Sequence, residues 1–255
     1  MTGTRDWDAG TYDRVSGPQV EWAAGVIDRL GLRGDEDVLD AGCGSGRVTE
    51  LLLERLPLGT VIAIDGSESM IGEAAQRLDP ERTTLIHSDL LEIDLEETVD
   101  AVFSNAVFHW IHDHERLFTA LERALRPGGR LEAQCGGAGN IANVVEAIES
   151  AAADDPFREH LAGFDPHHFA GPEETEEILR GIGFEEVECG LLDWPVHPPE
   201  PREFIRSVCL GAHSELLPED LRGPFLDAVA GRLGPDPVLG YVRLNISARK
   251  RAVPA

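Results

Sequence analysis

Between residues 36 and 135 short apolar runs alternate with amphipathic segments, and this alternation limits the fold more than any other feature of the chain. "DVLDAG" (37–42) reads as a short buried strand stopped by glycine, and "RVTELLLERL" (47–56) sets Val48, Leu51, Leu52 and Leu56 on one helical face. "TVIAID" (60–65) is a β-branched second strand ending in Asp65. "SESMIGEAAQRL" (67–78) reads as a helix opened by a serine cap and early acids. "TTLIHSD" (83–89), "VDAVFSN" (99–105) and "GRLEAQCGG" (129–137) supply three more strands. Before the last of them "DHERLFTALERAL" (113–125) forms a helix with Leu117, Leu121 and Leu125 in register, halted by "RPGG". Strands alternating with helices of this length build a parallel sheet with helices on both faces.

The rest of the chain is less regular. "GPEETEEILRGIGFEEVECG" (171–190) reads as helix then strand, with Pro172 in the first turn and Gly183 at the C-terminal cap. "YVRLNISARK" (241–250) alternates as a final strand. Between these lie insertions at about 139–170 and 195–235, the second carrying the stripe Leu217, Leu221, Phe225 and Val229. Such a stripe packs on the core, covers a substrate pocket, or does both.

In an open parallel sheet, ligands sit beyond the C-terminal strand ends, where the loop "AGCGSGR" lies. Gly42, Gly44 and Gly46 let a ligand come close to the backbone. Arg47 holds the place of a dinucleotide fingerprint's third glycine, and GxxxxGK[ST] is absent. Asp40 at the loop's entrance is unfavourable for a pyrophosphate, because unit charges about 4 Å apart interact by roughly 1–4 kcal/mol in wet to surface-like surroundings. A ligand with a cationic amino-acid tail and no phosphate gains from the same acid. S-adenosylmethionine is such a ligand. Asp65 then suits the ribose hydroxyls, as it would for NAD, and Asp89 suits the adenine amino group beside Ser88 and Leu90. One strand-end aspartate is equally a cap or a solvated loop residue. Three on successive strands, with the glycine loop, are harder to explain that way.

The formal net charge of −25 in 255 residues disfavours nucleic acid and anionic membrane as partners. Lys250 is the single lysine. Dense acid with so little lysine suggests adaptation to high salt, a GC-rich genome being the other account. Cys43, Cys135, Cys189 and Cys209 are scattered, which indicates neither a zinc site nor a disulfide framework, and "HWIHDH" lacks a convincing ligand set, so no metal is expected. The start "MTGTRDWDAG" does not read as a signal peptide, and the expected location is the cytoplasm.

At the residues just described the sequence resembles the class I S-adenosylmethionine-dependent methyltransferases. "VLDAGCGSG", "AIDGSESM", "HSDL", "AVFSNAVFHW" and "LRPGGRL" follow that family's motifs in order and spacing over about residues 36–135. The resemblance implies a Rossmann-like, doubly wound sheet of seven strands, one antiparallel, with helical lid insertions. By position it puts Asp40, Gly42, Cys43, Gly44 and Gly46 at the methionine end, and Asp65, Gly66 and Met70 at ribose and adenine. Ser88, Asp89 and Leu90 fall at the adenine edge, and Asn105 near the donor methyl. "SNAVFHWIHDHERLF" and the N-terminal "YDRVSGPQVEWAAGVIDRL" are similar to the trans-aconitate and malonyl-carrier-protein methyltransferase group, which acts on carboxylates. That likeness also extends to C-methyltransferases of quinone- or lipid-like acceptors.

One methyltransferase domain over 1–255 is therefore expected: an N-terminal helical lid (1–35), a cofactor core (36–137), cap insertions (138–170 and 195–235) and a final strand (236–255). The reaction implied is methyl transfer from S-adenosylmethionine to a small molecule, with S-adenosylhomocysteine as product, by a monomer or homodimer. A carboxylate acceptor is favoured over a carbon one. Two further readings are a noncatalytic cofactor-binding module and an NAD-dependent oxidoreductase. Tyr12, His109 and Trp110 are the expected catalytic-side residues, His109 as a base or an orienting group. Arg14, Arg47, Arg206 and Arg243 are candidates for gripping an acid.

Overall fold

A computed structural model describes residues 17–252. Its elements in chain order are α1 (Gly17–Leu30), β1 (Asp37–Ala41), α2 (Arg47–Glu54), β2 (Thr60–Asp65), α3 (Glu68–Arg77), β3 (Thr83–His87) and β4 (Val99–Asn105). There follow α4 (His114–Ala124), β5 (Leu125–Gly136), α5 (Ala142–Ala152), α6 (Arg158–Leu161), α7 (Pro172–Ile182) and β6 (Phe184–Val196). The last are α8 (Pro201–Phe204), a π-helical turn (Ile205–Cys209), α9 (Gly211–Leu216), α10 (Glu219–Leu233) and β7 (Leu239–Lys250).

The seven strands form one sheet in the order β3-β2-β1-β4-β5-β7-β6. β1 to β5 pair in parallel, and β7 runs antiparallel to both β5 and β6. This is the doubly wound sheet with one antiparallel strand that the sequence implies. The order reverses between β1 and β4, which opens the crevice where such sheets bind ligands.

Local chemistry sets the element ends. Ser67 caps α3 by accepting from the Met70 N–H, and Gly183 ends α7 in the left-handed region at φ 119°. The fifth strand starts earlier than expected, at Leu125. Pro127 forces Arg126 out of the helical region, so the chain leaves α4 extended and joins the sheet at once, with a register shift between Val99 and Ala101. β6 also runs past the expected end to Val196, paired with β7 from Glu188 onward, so the second insertion begins after it.

Helices cover both faces. Ala23, Val26, Ile27 and Leu30 of α1 are buried against Val38, Val61, Ala101 and Phe103. The described part of the segment expected as a lid is thus a layer of the core, and only residues before it lie outside the described ones. Leu117, Phe118 and Leu121 of α4 and Leu179 of α7 pack the other face with Leu131 and Ile246. The two insertions form a second apolar core. Val144 and Ile148 of α5 meet Phe225, Leu226 and Val229 of α10, joined by Leu217, Trp22 and Tyr241. Most of the expected stripe therefore packs inward, with Leu221 half-buried at its edge.

Candidate functional site

Beyond the ends of β1 to β4 lie the expected cofactor residues. Asp40 is 1 % exposed, and its Oδ2 accepts from the Thr49 hydroxyl at 2.7 Å. Burial, and next to it the charge of Asp65, pushes its pKa up to about 7, against the pull of the Thr49 bond. Asp40 is turned inward onto α2, where Thr49 holds it. Asp65 accepts from the Gly44 N–H and the Ser67 N–H, each at 2.9 Å. Burial raises its pKa as well, with those bonds opposing.

The glycine loop is tied down by the same strand end. The Gly42 and Cys43 N–H groups both donate to the Ile64 carbonyl, and the Gly46 N–H donates to the Cys43 carbonyl. A phosphate cradle needs such N–H groups aimed outward. These are committed to the protein, with two carboxylates behind them. The donor set fits a ligand that brings positive charge and hydroxyls, and it does not fit a pyrophosphate. At Gly42, φ is 90° and a Cβ would stand 2.2 Å from Val107 Cγ2, so glycine alone lets this loop lie on the turn after β4.

The remaining expected cofactor residues stand at or after the ends of β2, β3 and β4 in the chain. Met70 is buried in the first turn of α3. Gly66 offers its carbonyl to His87 Nε2, and the Ser88 N–H donates to the Asp65 carbonyl. Asp89 caps the short turn Leu90–Glu92 by accepting from the Leu91 N–H, which is the plain structural role open to any strand-end aspartate. Leu90 is buried in the core, and Asn105 ends β4.

Past β4 a cavity of about 480 Å³, counting its open mouth, is lined by Trp22, Ala106, His109, Trp110, Asn140, Ile141, His167, Phe169, Val208, Cys209, Tyr241 and Arg243. Two of its lining residues, Ala106 (φ 63°) and Ile141 (φ 45°), hold the left-handed backbone region that side chains disfavour. Such strain costs about 1–3 kcal/mol per residue and concentrates at functional sites. The π-helical turn brings Val208 and Cys209 to the same wall.

Arg243, 2 % exposed, is the arginine of the cavity's described lining. Its guanidinium lies over the Trp22 ring at 4.3 Å, and its Nε donates to Gln134 Oε1 at 3.4 Å. The Trp22 indole N–H is buried without a hydrogen-bond partner among the described residues. Asn140 fixes its amide by accepting from the Val242 N–H. His109, 8 % exposed, accepts the Gly136 N–H at Nδ1. Burial, then the charges of His167, Arg243 and His114, hold its pKa well below the usual histidine range. The ring is therefore neutral, with its proton on Nε2. The described lining carries no Asp or Glu.

The structure thus brings His109, Trp110 and Arg243 into one cavity. Arg206 pairs with Glu203 outside it, and Tyr12 and Arg14 lie outside the described residues. Sequence reasoning missed Trp22, Asn140, His167, Phe169 and Tyr241. Only Asn140 carried a signal, standing after a glycine-rich turn at the end of the fifth strand. Among the described residues no cluster of His, Cys, Asp or Glu is arranged to hold a metal ion, and no helix is long and apolar enough to cross a membrane.

Comparison with known proteins bears on the same region. A family model described as a methyltransferase domain matches residues 39–133. Trans-aconitate 2-methyltransferase of Methylobacterium nodulans is 36% identical over 129 residues, 51% of this chain and 49% of that protein, so the chain matches about half the length of this relative. The enzyme of the same name from Delftia acidovorans is 35% identical over 274 residues, covering 96% of this chain and 99% of the relative. Among solved structures, Haemonchus contortus phosphoethanolamine N-methyltransferase 2 superposes with a TM-score of 0.63 at 19% identity, over 96% of this chain and 57% of that one, a likeness of fold. The chain belongs to the class I S-adenosylmethionine-dependent methyltransferases, in the group that includes trans-aconitate 2-methyltransferase.

Proposed function

We propose that this protein transfers a methyl group from S-adenosylmethionine to a carboxylate oxygen of a small acid. The observation that carries the reading is Arg243, a buried guanidinium in a cavity whose described lining holds no acidic side chain, inside a chain of net charge −25. A guanidinium is the side chain whose planar set of N–H donors best matches a carboxylate. The relatives named for trans-aconitate, an acid, point the same way.

When bound, the cofactor supplies a methyl on a sulfonium, which passes to a carboxylate oxygen as the carbon–sulfur bond breaks and a neutral thioether leaves. The chain's own residues then have three tasks. Asp65 holds the ribose hydroxyls with the lone pairs its backbone partners leave unused, and Asp40 favours the cationic end through its charge. Arg243, with the Nε2–H of neutral His109 and the Asn140 amide, orients the acid and binds it as the anion. Trp110 and Trp22 wall the cavity and keep water from the reacting oxygen. Orientation of this kind lowers barriers by about 7–11 kcal/mol. A carboxylate is already ionised near pH 7 and needs no base, whereas a phenol or carbon acid does. The described lining offers donors where a base would be wanted, which favours oxygen over the carbon acceptor of a quinone- or lipid-like substrate.

The test is incubation with labelled S-adenosylmethionine and a panel of small acids, phenols and quinols, with ester formation read by mass spectrometry. Base-labile methyl esters that depend on Arg243 are the expected result. Label appearing only in ethers or on carbon, or binding of cofactor without turnover on any acceptor, overturns the reading.

A further inference from the structure

β6 is the outer strand of the sheet, paired with β7 on one side and open on the other. The register fixes which of its backbone groups face outward. The Val242 carbonyl accepts from the Gly137 N–H, and the Val242 N–H donates to Asn140 Oδ1, both on the β5 side of β7. Even-numbered residues of β7 therefore turn their backbone groups to β5, and odd-numbered ones turn theirs to β6. Tyr241, Arg243 and Asn245 stand opposite Trp194, Leu192 and Gly190, so the odd-numbered residues of β6 point their N–H and C=O groups away from the sheet. Two of these positions are closed. The Cys189 N–H donates to Glu176 Oε1 of α7 at 3.0 Å, and Pro195 has no N–H. Between them the edge keeps the donors of Leu191 and Asp193, one on each side of Leu192, and neither is bonded among the described residues. Leu191 and Leu192 are each 44 % exposed.

We propose that this edge docks a second copy of the same chain, strand to strand and antiparallel, about a two-fold axis at Leu192. In that register the Leu191 N–H donates to the carbonyl of the partner's Asp193, and the Asp193 N–H donates to the carbonyl of the partner's Leu191. The two-fold axis repeats both bonds, so every free donor of the window is used. One step further out Cys189 meets the partner's Pro195, where neither strand has an N–H to offer and none is stranded. The side chains are self-complementary as well. Leu192 meets the partner's Leu192, and Gly190 meets the partner's Trp194. A Cβ on Gly190 would find nothing within 4 Å, which leaves room for that ring over the glycine. Asp193 stands opposite the partner's Leu191 and not opposite its own copy, so no like charges face each other directly. An unrelated strand has no reason to match these features, whereas the chain's own edge matches all of them. The window is short, so the dimer is weak and depends on concentration. It extends the sheet at the end opposite β3 and leaves the crevice between β1 and β4 open.

The experiment is sedimentation velocity on the full chain between roughly 5 and 500 µM, the range in which a micromolar dimer dissociates. It is run in 1 M NaCl, where a screening length of about 3 Å suppresses the repulsion between two chains of net charge −25. Wild type is expected to pass from monomer to dimer. Leu192→Lys is expected to weaken association at least tenfold and to leave S-adenosylhomocysteine binding unchanged, which shows the variant folded. A second readout tests the register. Positions 192 of the two copies form a pair without hydrogen bonds, with Cα atoms about 4.5 Å apart, within reach of a disulfide. Leu192→Cys treated with oxidised glutathione is expected to give a covalent dimer, and Gly190→Cys, set opposite the partner's Trp194, is expected to give no more than wild type. A wild type that stays monomeric throughout, association that Leu192→Lys leaves intact, or crosslinking no faster at Leu192→Cys than at Gly190→Cys overturns the proposal.

Discussion

The guanidinium of Arg243 lies 4.3 Å from the centroid of the Trp22 ring, so a residue of the last strand and one of the first described helix meet at the cavity past β4. The ring face fixes the plane of the guanidinium. Arg243→Met is expected to lower kcat/KM for the acid by roughly 10- to 150-fold, the equivalent of about 1.5–3 kcal/mol for a lost charge-assisted bond. Arg243→Lys restores little, since an ammonium neither stacks nor forms a two-point contact. Cofactor affinity, measured separately by calorimetry, stays within about twofold because the donor end is built from other strands. A lysine variant as active as wild type counts against this role.

In the proposed arrangement His109 serves as a donor. Its Nδ1 is occupied by the Gly136 N–H, and its pKa lies well below the ordinary value. The pH profile of kcat at saturating cofactor should therefore show no limb from this histidine between about pH 6 and 8. His109→Gln, which keeps a donor amide, is expected to retain about a tenth or more of wild-type kcat, and His109→Leu less. An acidic limb present in wild type and absent in His109→Gln would make it a base after all.

Much of this fold can be read from the sequence because it depends on local periods. The strand at "TVIAID", the serine cap at Ser67 and the glycine cap at Gly183 each follow from neighbours within a few residues. The glycine loop was legible for the same reason. The cavity past β4 was not, because it gathers α1, the turns after β4 and β5, the π-helical turn and β7. No spacing brings Trp22 to Arg243, 221 positions along. The left-handed Ala106 and Ile141 carry no turn signal such as glycine or asparagine, so local chemistry argues against the conformation they hold. Asp89 illustrates the opposite limit: the sequence offers a ligand and a cap, and the structure shows the cap formed.

Gly42 tests how tightly the cofactor loop is bound to the rest of the site. A Cβ there would meet Val107 Cγ2 at 2.2 Å, and φ is 90°. Gly42→Ala is expected to cost about 1–3 kcal/mol from the backbone conformation and about as much again from overpacking, read by chemical denaturation. In the pair Gly42→Ala with Val107→Ala the packing part is partly relieved, since Val107 Cβ still stands 2.9 Å from the added carbon, and the backbone part remains. A double-mutant cycle showing no coupling between the two positions contradicts the close approach.

Asp40 gives the protein a pH dependence of definite sign. Its pKa stands at about 7 in the folded chain, raised first by burial and then by the charge of Asp65. In the unfolded chain it returns to about 3.9. Between these values the folded state holds one proton more than the unfolded state, so stability falls as pH rises from about 4 to 7. Asp40→Asn removes that contribution. The difference in unfolding free energy between variant and wild type should grow in the variant's favour across this window and level off above about pH 8. Cofactor binding should move the other way in wild type. Below about pH 7 a cationic ligand must first have Asp40 release its proton, so affinity rises with pH and binding releases a proton to the buffer. Calorimetry in two buffers of different ionisation heat reads that proton directly. A release of the same size in Asp40→Asn would assign it to another group and sever the link between this buried acid and the cofactor.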